Sequence, residues 1–195
     1  TAFLADLNND ADVQLRFDLI KDAIELLENQ SNLTHDSKKE LASCYETRGR
    51  LQIQMGLLEA AEKDLKEAIN LYVELEEISD FQYDFARSVC YWQIAKIKNM
   101  QLDYGSAVLY YLDAQNSALL DGDENWYLRM SEGIAWCYLQ LDKFALAERV
   151  CADVEAKFES TGSESLSIHI YFGVLMLHAS ILVWSERWTE AEEIF

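Results

Sequence analysis

Apolar residues recur along this chain at the three- and four-residue spacing of helices rather than at the two-residue spacing of strands. In residues 9–30, for example, Val13, Phe17, Ile20, Ile24 and Leu27 fall on one face of a helix. Comparable runs follow one another to the end of the chain, separated by short polar segments. The pattern predicts an all-α protein of about nine helices. The predicted helices cover residues 9–30, 37–55, 57–77, 81–101, 103–119, 124–141, 143–159, 164–185 and 187–195.

Local signals between the helices support this division. Ser37-Lys38-Lys39-Glu40 has the form of a capping box at a helix start. Asp121-Gly122-Asp123 and Thr161-Gly162-Ser163 are turn sequences that precede new helices. The chain has no proline and only 7 glycines. Because proline breaks helices and marks turns, its absence favours long helices joined by short polar connections.

Four segments repeat one arrangement of small and large residues around an alanine anchor. A second small residue lies twelve positions before each anchor, and small side chains at these points let the two helices of a hairpin cross at ~8–10 Å. Large apolar residues three before and four after the anchor close the hairpin and continue its buried face. The anchors are Ala61, Ala107, Ala147 and Ala191; the other columns are Gly49, Ala95, Ala135 and Ala179 (twelve before), Leu58, Tyr104, Phe144 and Trp188 (three before), Leu65, Tyr111, Cys151 and Phe195 (four after), and Ala68, Ala114 and Val154 (seven after).

These columns resemble the tetratricopeptide repeat (TPR) over roughly residues 42–195, most fully in the segment that holds Tyr45, Gly49, Gly56 and Ala61. The anchors lie 46, 40 and 44 residues apart, whereas a standard repeat has ~34 residues. In this the chain resembles the long-repeat members: kinesin light chains, spindle-orientation adaptors and bacterial cytoplasmic peptide receptors. The resemblance implies a right-handed superhelix of antiparallel helix hairpins, a TPR-like α-solenoid.

We expect the whole chain to form a single domain of this kind. The predicted parts are an N-terminal helix or degenerate repeat (9–36) and repeats at 37–79, 80–120, 121–160 and 161–195, the last one truncated. Because the last helix stops in mid-pattern and the chain begins without methionine, we expect it to be a fragment of a longer protein.

The charge of the chain restricts its partners. Its formal net charge is −19 and its pI is about 4.4, so phosphate backbones and anionic membrane surfaces should repel it. We therefore expect neither nucleic acid nor membrane as a partner, and instead a protein or peptide that is basic or amphipathic. The four cysteines fall within apolar helical patterns without metal-ligand spacing. They indicate buried thiols, and hence a cytoplasmic or nuclear protein.

No motif in the chain indicates catalysis, a metal or a cofactor. There is no glycine-rich phosphate loop and no nucleophile elbow, and no two of the three histidines have the spacing of a helical zinc pair. His178 falls in a core-facing column, where a packed histidine is the favoured interpretation and a pH-sensing role the alternative. Acidic pairs such as Glu76-Glu77 are interpreted as solvated helix surface. We predict that the protein is not an enzyme.

In TPR proteins the first helix of each repeat lines the concave face, and the resemblance implies which residues point there. Tryptophan and arginine, which dominate binding hot spots, are prominent among them. Either a partner peptide or helix lies in this groove, or the tryptophans pack between repeats and the charges pair with neighbours. The residues are Ser43, Glu46, Arg50 and Gln54 in the first repeat, Trp92, Lys96 and Asn99 in the second, Arg129, Glu132, Trp136 and Gln140 in the third, and Met176, Ser180 and Trp184 in the fourth.

The predicted function is a protein-interaction scaffold that binds a partner peptide or helix in the concave groove. The alternative is a regulatory, peptide-sensing module of a larger signalling or secretion protein. Members of the superfamily that bind chaperone tails use a lysine–asparagine clamp. Here Lys96 and Asn99 are three residues apart rather than four, so chaperone-tail binding is not expected.

Overall fold

The computed structural model describes residues 2–79, 81–161 and 168–194. Within these residues all regular structure is α-helical, in nine helices, which confirms the predicted all-α class. The helices are Ala2–Glu28 (α1), His35–Gln54 (α2), Leu58–Ile78 (α3), Asp84–Met100 (α4), Tyr104–Asp121 (α5), Glu124–Gln140 (α6), Phe144–Thr161 (α7), Ile168–Trp184 (α8) and Trp188–Glu193 (α9).

Two predicted helix starts that fall within the described residues are wrong by more than two residues, and a third, residue 164 for α8, lies outside the described residues. Helix α1 begins at Ala2, seven residues before the predicted start. Helix α4 begins at Asp84 rather than at residue 81, because Tyr83 is held outside the helix. The backbone N–H of Tyr83 donates to Oε1 of Glu76 at 2.7 Å, and its ring stacks on Tyr72 with 5.4 Å between centroids.

The helix caps correct one prediction and confirm another. The capping box at Ser37 is wrong: α2 begins at His35, and Oγ1 of the extended Thr34 accepts the backbone N–H of Ser37 at 3.2 Å. The turn before α6 is as predicted, since the Asp123 carboxylate accepts the N–H of Trp126 at 2.9 Å. Of the other predicted turn, Thr161-Gly162-Ser163, residues 162 and 163 lie outside the described residues.

The four hairpin turns close with the same geometry. The residue five positions before each anchor is left-handed, and the N–H of the next residue donates to a carbonyl five positions back at 2.8 or 2.9 Å. This Schellman arrangement satisfies the last carbonyls of the first helix. Only one of the four left-handed residues is glycine, so sequence alone shows the turns but not their common geometry. They are Gly56 (φ 76°), Leu102 (φ 60°), Asp142 (φ 56°) and Glu186 (φ 61°).

The internal contacts divide the chain into two compact units, residues 1–93 and 94–195, with α4 crossing the division. In the first unit α2 and α3 form a hairpin and α1 packs on α2. Gly49 lies at the crossing of α2 and α3, where an added Cβ would stand 2.9 Å from Cγ of Leu65. Arg48 and the buried Asp64 tie the same hairpin with two hydrogen bonds, of 2.6 and 2.8 Å. Assignment of the whole chain to one domain stays a prediction.

In the second unit α5 packs on α6, α6 on α7 and α8, and α8 on α7 and α9. Its core is built from the predicted columns together with neighbouring leucine, isoleucine and valine side chains. Across both units all four anchors are buried, and so are the described residues of the other columns except those three before the anchor. There Trp188 is exposed, and Phe195 of the column four after the anchor lies outside the described residues. One core cluster consists of Leu128, Ala135, Ala147, Cys151, Val154, Ile170, Val174 and Ile181.

Candidate partner-binding face

The first helices of the last two hairpins, α6 and α8, lie against each other in the second unit. Together they present a solvent-exposed surface that we name the first-helix face. Its exposed side chains come from both helices and are mostly apolar. They are Arg129, Trp136 and Gln140 on α6, and Phe172, Met176 and Trp184 on α8.

The α8 side of this face is an exposed apolar row. Phe172 and Met176 are each 56% exposed and Trp184 is 70% exposed, at a spacing of four or eight residues. Ser180 completes the spacing, and its hydroxyl donates to the Met176 carbonyl at 2.8 Å. Met176, Ser180 and Trp184 are among the partner-binding residues predicted from the sequence, whereas Phe172 is not. Since α8 is apolar on nearly every side, its periodicity could not indicate which side faces solvent.

Trp136 on α6 packs against a neighbouring side chain and also keeps an exposed surface, so it is compatible with both roles that the sequence left open, packing between repeats and contact with a partner. Its ring meets the edge of Tyr104, with 5.4 Å between centroids and 73° between planes. Even so, 38% of the residue remains exposed. The contact with Tyr104 therefore fixes the orientation of the indole while part of its surface stays available to solvent.

Glu132 lies at the contact of α6 with α8 rather than out on the face. A Cβ added to Gly173 would stand 2.6 Å from Oε1 of Glu132, so the carboxylate occupies the space that this glycine leaves. Burial raises the pKa of Glu132, and the positive charge of Arg129 opposes the shift. Gly133, on the other side of α6, leaves similar room for the Tyr111 ring, 2.6 Å from an added Cβ. Neither glycine lies in a column that the sequence analysis identified.

The structure places Asn99 inside the unit, contrary to its predicted place on the face. Its amide nitrogen donates to the Tyr111 hydroxyl at 3.1 Å, and its oxygen accepts from Sγ of Cys137 at 3.1 Å. The position equivalent to Gln140 and Trp184 is the next residue, Met100, which is 54% exposed. The prediction was therefore one residue out of register. Lys96, in contrast, is exposed as predicted.

The predicted partner-binding residues of the first unit are likewise partly exposed and partly half-buried. Ser43, Arg50 and Gln54 are exposed, whereas Trp92 is half-buried. Glu46 is also half-buried, and its carboxylate accepts the Tyr72 hydroxyl at 3.3 Å. Burial raises its pKa, as it does for the equivalent Glu132.

An open pocket of about 160 Å³ lies at one end of the first-helix face. Its walls come from the end of α6, the turn that follows, the start of α7 and the end of α8. Gln140 and Trp184 therefore meet at one pocket, although they are 44 residues apart. The lining residues are Leu139, Gln140, Asp142, Phe144 and Trp184.

His178 and three of the four cysteines are packed inside. His178 is largely buried, with Nδ1 2.7 Å from Oε1 of Glu155, which confirms the predicted packed histidine. All four cysteines are free thiols, and burial raises the pKa of Cys137 and of Cys151 to about 12. In the described ranges no three His, Cys, Asp or Glu residues are grouped so as to hold a metal ion. None of the described helices combines the length and apolar character needed to cross a membrane.

Comparison with solved structures shows that the chain has a TPR-like fold. BtubC (BKLC) from P. vanneervenii matches 99% of this chain over 74% of its own length, with a TM-score of 0.76 and 17% identity. A Podosopora anserina protein described as a kinesin light chain with nearly identical TPR-like repeats matches 95% of this chain over 85% of its own, with a TM-score of 0.73 and 13% identity.

A third match is the Rap conjugation gene regulator of the plasmid pLS20, solved in complex with the Phr* peptide. It covers 97% of this chain with a TM-score of 0.60 and 12% identity, and this chain spans 48% of that protein's length. No protein-family profile matches the chain. No curated protein matches it significantly either.

Proposed function

We propose that the protein is an interaction scaffold and that the first-helix face of the second unit binds a peptide or helical segment of a partner protein. The observation that carries the proposal is the exposed apolar row of α8, continued by Trp136 on α6. Apolar side chains that are more than half exposed and aligned along one helix are typical of a surface that a partner covers.

The polar residues of the face would fix the orientation of the bound peptide by hydrogen bonding to it. Arg129 and Gln140 are exposed beside the apolar row, and both can bond to backbone carbonyls or carboxylates of a peptide. A few polar groups placed around an apolar centre are the usual composition of a peptide-binding surface. Lys96 of the second unit is a further candidate for this surface, and Arg50 and Gln54 are candidates for a separate partner-binding surface on the first unit. Asn99, Glu46 and Glu132 are left out of it because their side chains are used internally.

The comparisons support a peptide-binding role through one relative of the same fold, the Rap regulator, which was solved with a bound peptide. That protein is a regulator, and this favours a second candidate function, a peptide-sensing module of a larger protein. The two can be separated by small-angle scattering: a sensor should change its radius of gyration when peptide binds, and a passive scaffold should keep it. We place the protein in the cytoplasm or nucleus, consistent with its four free thiols, and attribute no catalytic activity to it.

The test of the proposal is a selection of peptides from a random library on the immobilised protein, followed by affinity measurements on variants. Trp136→Ala and Met176→Ala should each weaken the selected peptides by about tenfold or more, as loss of an interface anchor does. Leu109→Ala is the matched control, because Leu109 is 63% exposed but lies on α5, outside the face. Hydrogen exchange should show protection of α6 and α8 on binding.

Thermal melts of each variant would confirm that it is folded, and Met176→Ala is the cleaner test because its side chain is more than half exposed. The proposal fails if selected peptides bind both face variants as tightly as the parent, or if they protect other helices.

A further inference from the structure

We infer that the pocket at the end of the first-helix face binds an arginine side chain of the partner segment. The inference rests on the proposed function and adds the chemistry of one anchor residue. It starts from three features of the pocket: an exposed indole, a carboxylate without an ion-pair partner in the described residues, and apolar walls.

The apolar part of the pocket is an aromatic surface with a floor. Trp184 is 70% exposed, whereas Leu139 and Phe144 are half-buried and pack against the core of the unit. A long side chain entering here would lay its methylene groups on Leu139 and Phe144 and its planar end on the indole. A guanidinium fits this arrangement because it stacks on tryptophan and is only weakly hydrated.

The polar part of the pocket favours a cation. Asp142 is exposed at the mouth, and within residues 2–79, 81–161 and 168–194 its carboxylate forms no ion pair. The neighbouring Gln140 side chain has no hydrogen-bond partner in the same residues and can add an amide oxygen as acceptor. A carboxylate and an amide oxygen can accept several of the five N–H donors of a guanidinium, whereas a neutral side chain has fewer donors and no positive charge to pair with the carboxylate.

The turn that carries Asp142 holds its backbone in place but does not need its carboxylate. The backbone N–H of Asp142 donates to the Leu139 carbonyl at 3.1 Å, and the next N–H, that of Lys143, donates to Tyr138 at 2.9 Å. The equivalent positions of the other three turns are Gly56, Leu102 and Glu186. Since the same turn forms with glycine or leucine, the Asp142 side chain is free to serve a ligand.

The charge of the whole chain acts in the same direction. A formal net charge of −19 draws cationic groups toward the protein and repels carboxylates from its surface. An acidic or neutral anchor in this pocket would face Asp142 without compensation. The net negative charge and Asp142 therefore both favour a basic side chain in this pocket.

The experiment follows the indole N–H signals of the intact chain by NMR while N-acetyl-arginine amide is added. The Trp184 signal, assigned with Trp184→Phe, should shift, whereas N-acetyl-citrulline amide, the neutral analogue of similar shape, should bind at least about tenfold more weakly. Asp142→Asn should weaken the arginine probe by about tenfold. Glu186→Gln is the matched control, because Glu186 occupies the equivalent left-handed position of the next turn and does not line the pocket, and it should leave the affinity unchanged.

Equal binding of the citrulline and arginine probes, or a shift of another indole signal in place of that of Trp184, would overturn the inference. The outcome can be separated from that of the proposed function by testing the library-selected peptides on Asp142→Asn. If they bind through Trp136 and Met176 but lack arginine and ignore Asp142, the pocket inference alone fails. If the arginine probe binds as described and no peptide binds the face, the proposed function alone fails.

Discussion

Single residues at the hairpin turns determine how much each turn contributes to stability. Gly56 is left-handed at φ 76°, and an added Cβ would have no atom within 4 Å, so a side chain there costs backbone strain and nothing else. Gly105 lies inside α5 without a positive φ, and an added Cβ would be 3.9 Å from the nearest atom. The two glycines thus differ in backbone conformation alone.

We predict opposite effects of the same substitution at these two sites. Gly56→Ala should lower the free energy of unfolding by about 1 kcal/mol, because alanine is disfavoured in the left-handed region. Gly105→Ala should raise it by roughly 0.5–1 kcal/mol, because alanine is the better helix former. Urea unfolding followed by circular dichroism measures both, and two changes of the same sign would contradict the explanation.

Whole helices were the part of the structure that the sequence predicted best. The anchors and their partner columns are buried because a three- or four-residue spacing fixes one face of a helix whatever else surrounds it. The exposed side of α8 was harder to predict, because a helix apolar on all sides carries no periodic signal. Asn99 was misplaced because it is next to Met100, the residue that occupies the exposed column, and an internal amide cannot be told from an exposed one by residue type.

The contact of α6 with α8 has a pH dependence that follows from Glu132. Burial raises the pKa of this carboxyl group in the folded state above its value of 4.5 in the unfolded chain. The folded protein then holds the proton more tightly, so the cost of burying the carboxylate is complete only above the folded-state pKa. The cost declines as the pH falls through the folded-state pKa and is absent below the unfolded one.

Glu132→Gln should therefore raise the Tm at pH 7, by a few degrees at most, because the side chain is only half-buried and solvent screens its charge. The difference from the parent protein should shrink toward pH 4.5, where the parent carboxyl group becomes protonated. Thermal melts between pH 4.5 and 7.5 measure this, with the exposed Glu159→Gln as the control for loss of one charge. A difference that is constant with pH would show that the carboxylate is not desolvated in the folded state.

The net charge of the whole molecule follows from the sequence alone. It affects stability through repulsion between charges that are distant from one another in the fold. A chain of 195 residues with a formal charge of −19 repels itself most strongly when folded, because folding brings the charges together. Salt screens this repulsion over a Debye length of about 30 Å at 0.01 M and about 8 Å at 0.15 M. The Tm should therefore rise by several degrees between these two NaCl concentrations.

A charge variant distinguishes screening from a general effect of salt on the solvent. Each glutamate-to-lysine change raises the net charge by two, so four of them at the exposed Glu59, Glu77, Glu159 and Glu193 move the formal charge from −19 to −11. The dependence of Tm on NaCl should then become markedly shallower, while replacing NaCl with sucrose should stabilise parent and variant alike. If both proteins respond equally to NaCl, self-repulsion is not what limits the stability of this fold.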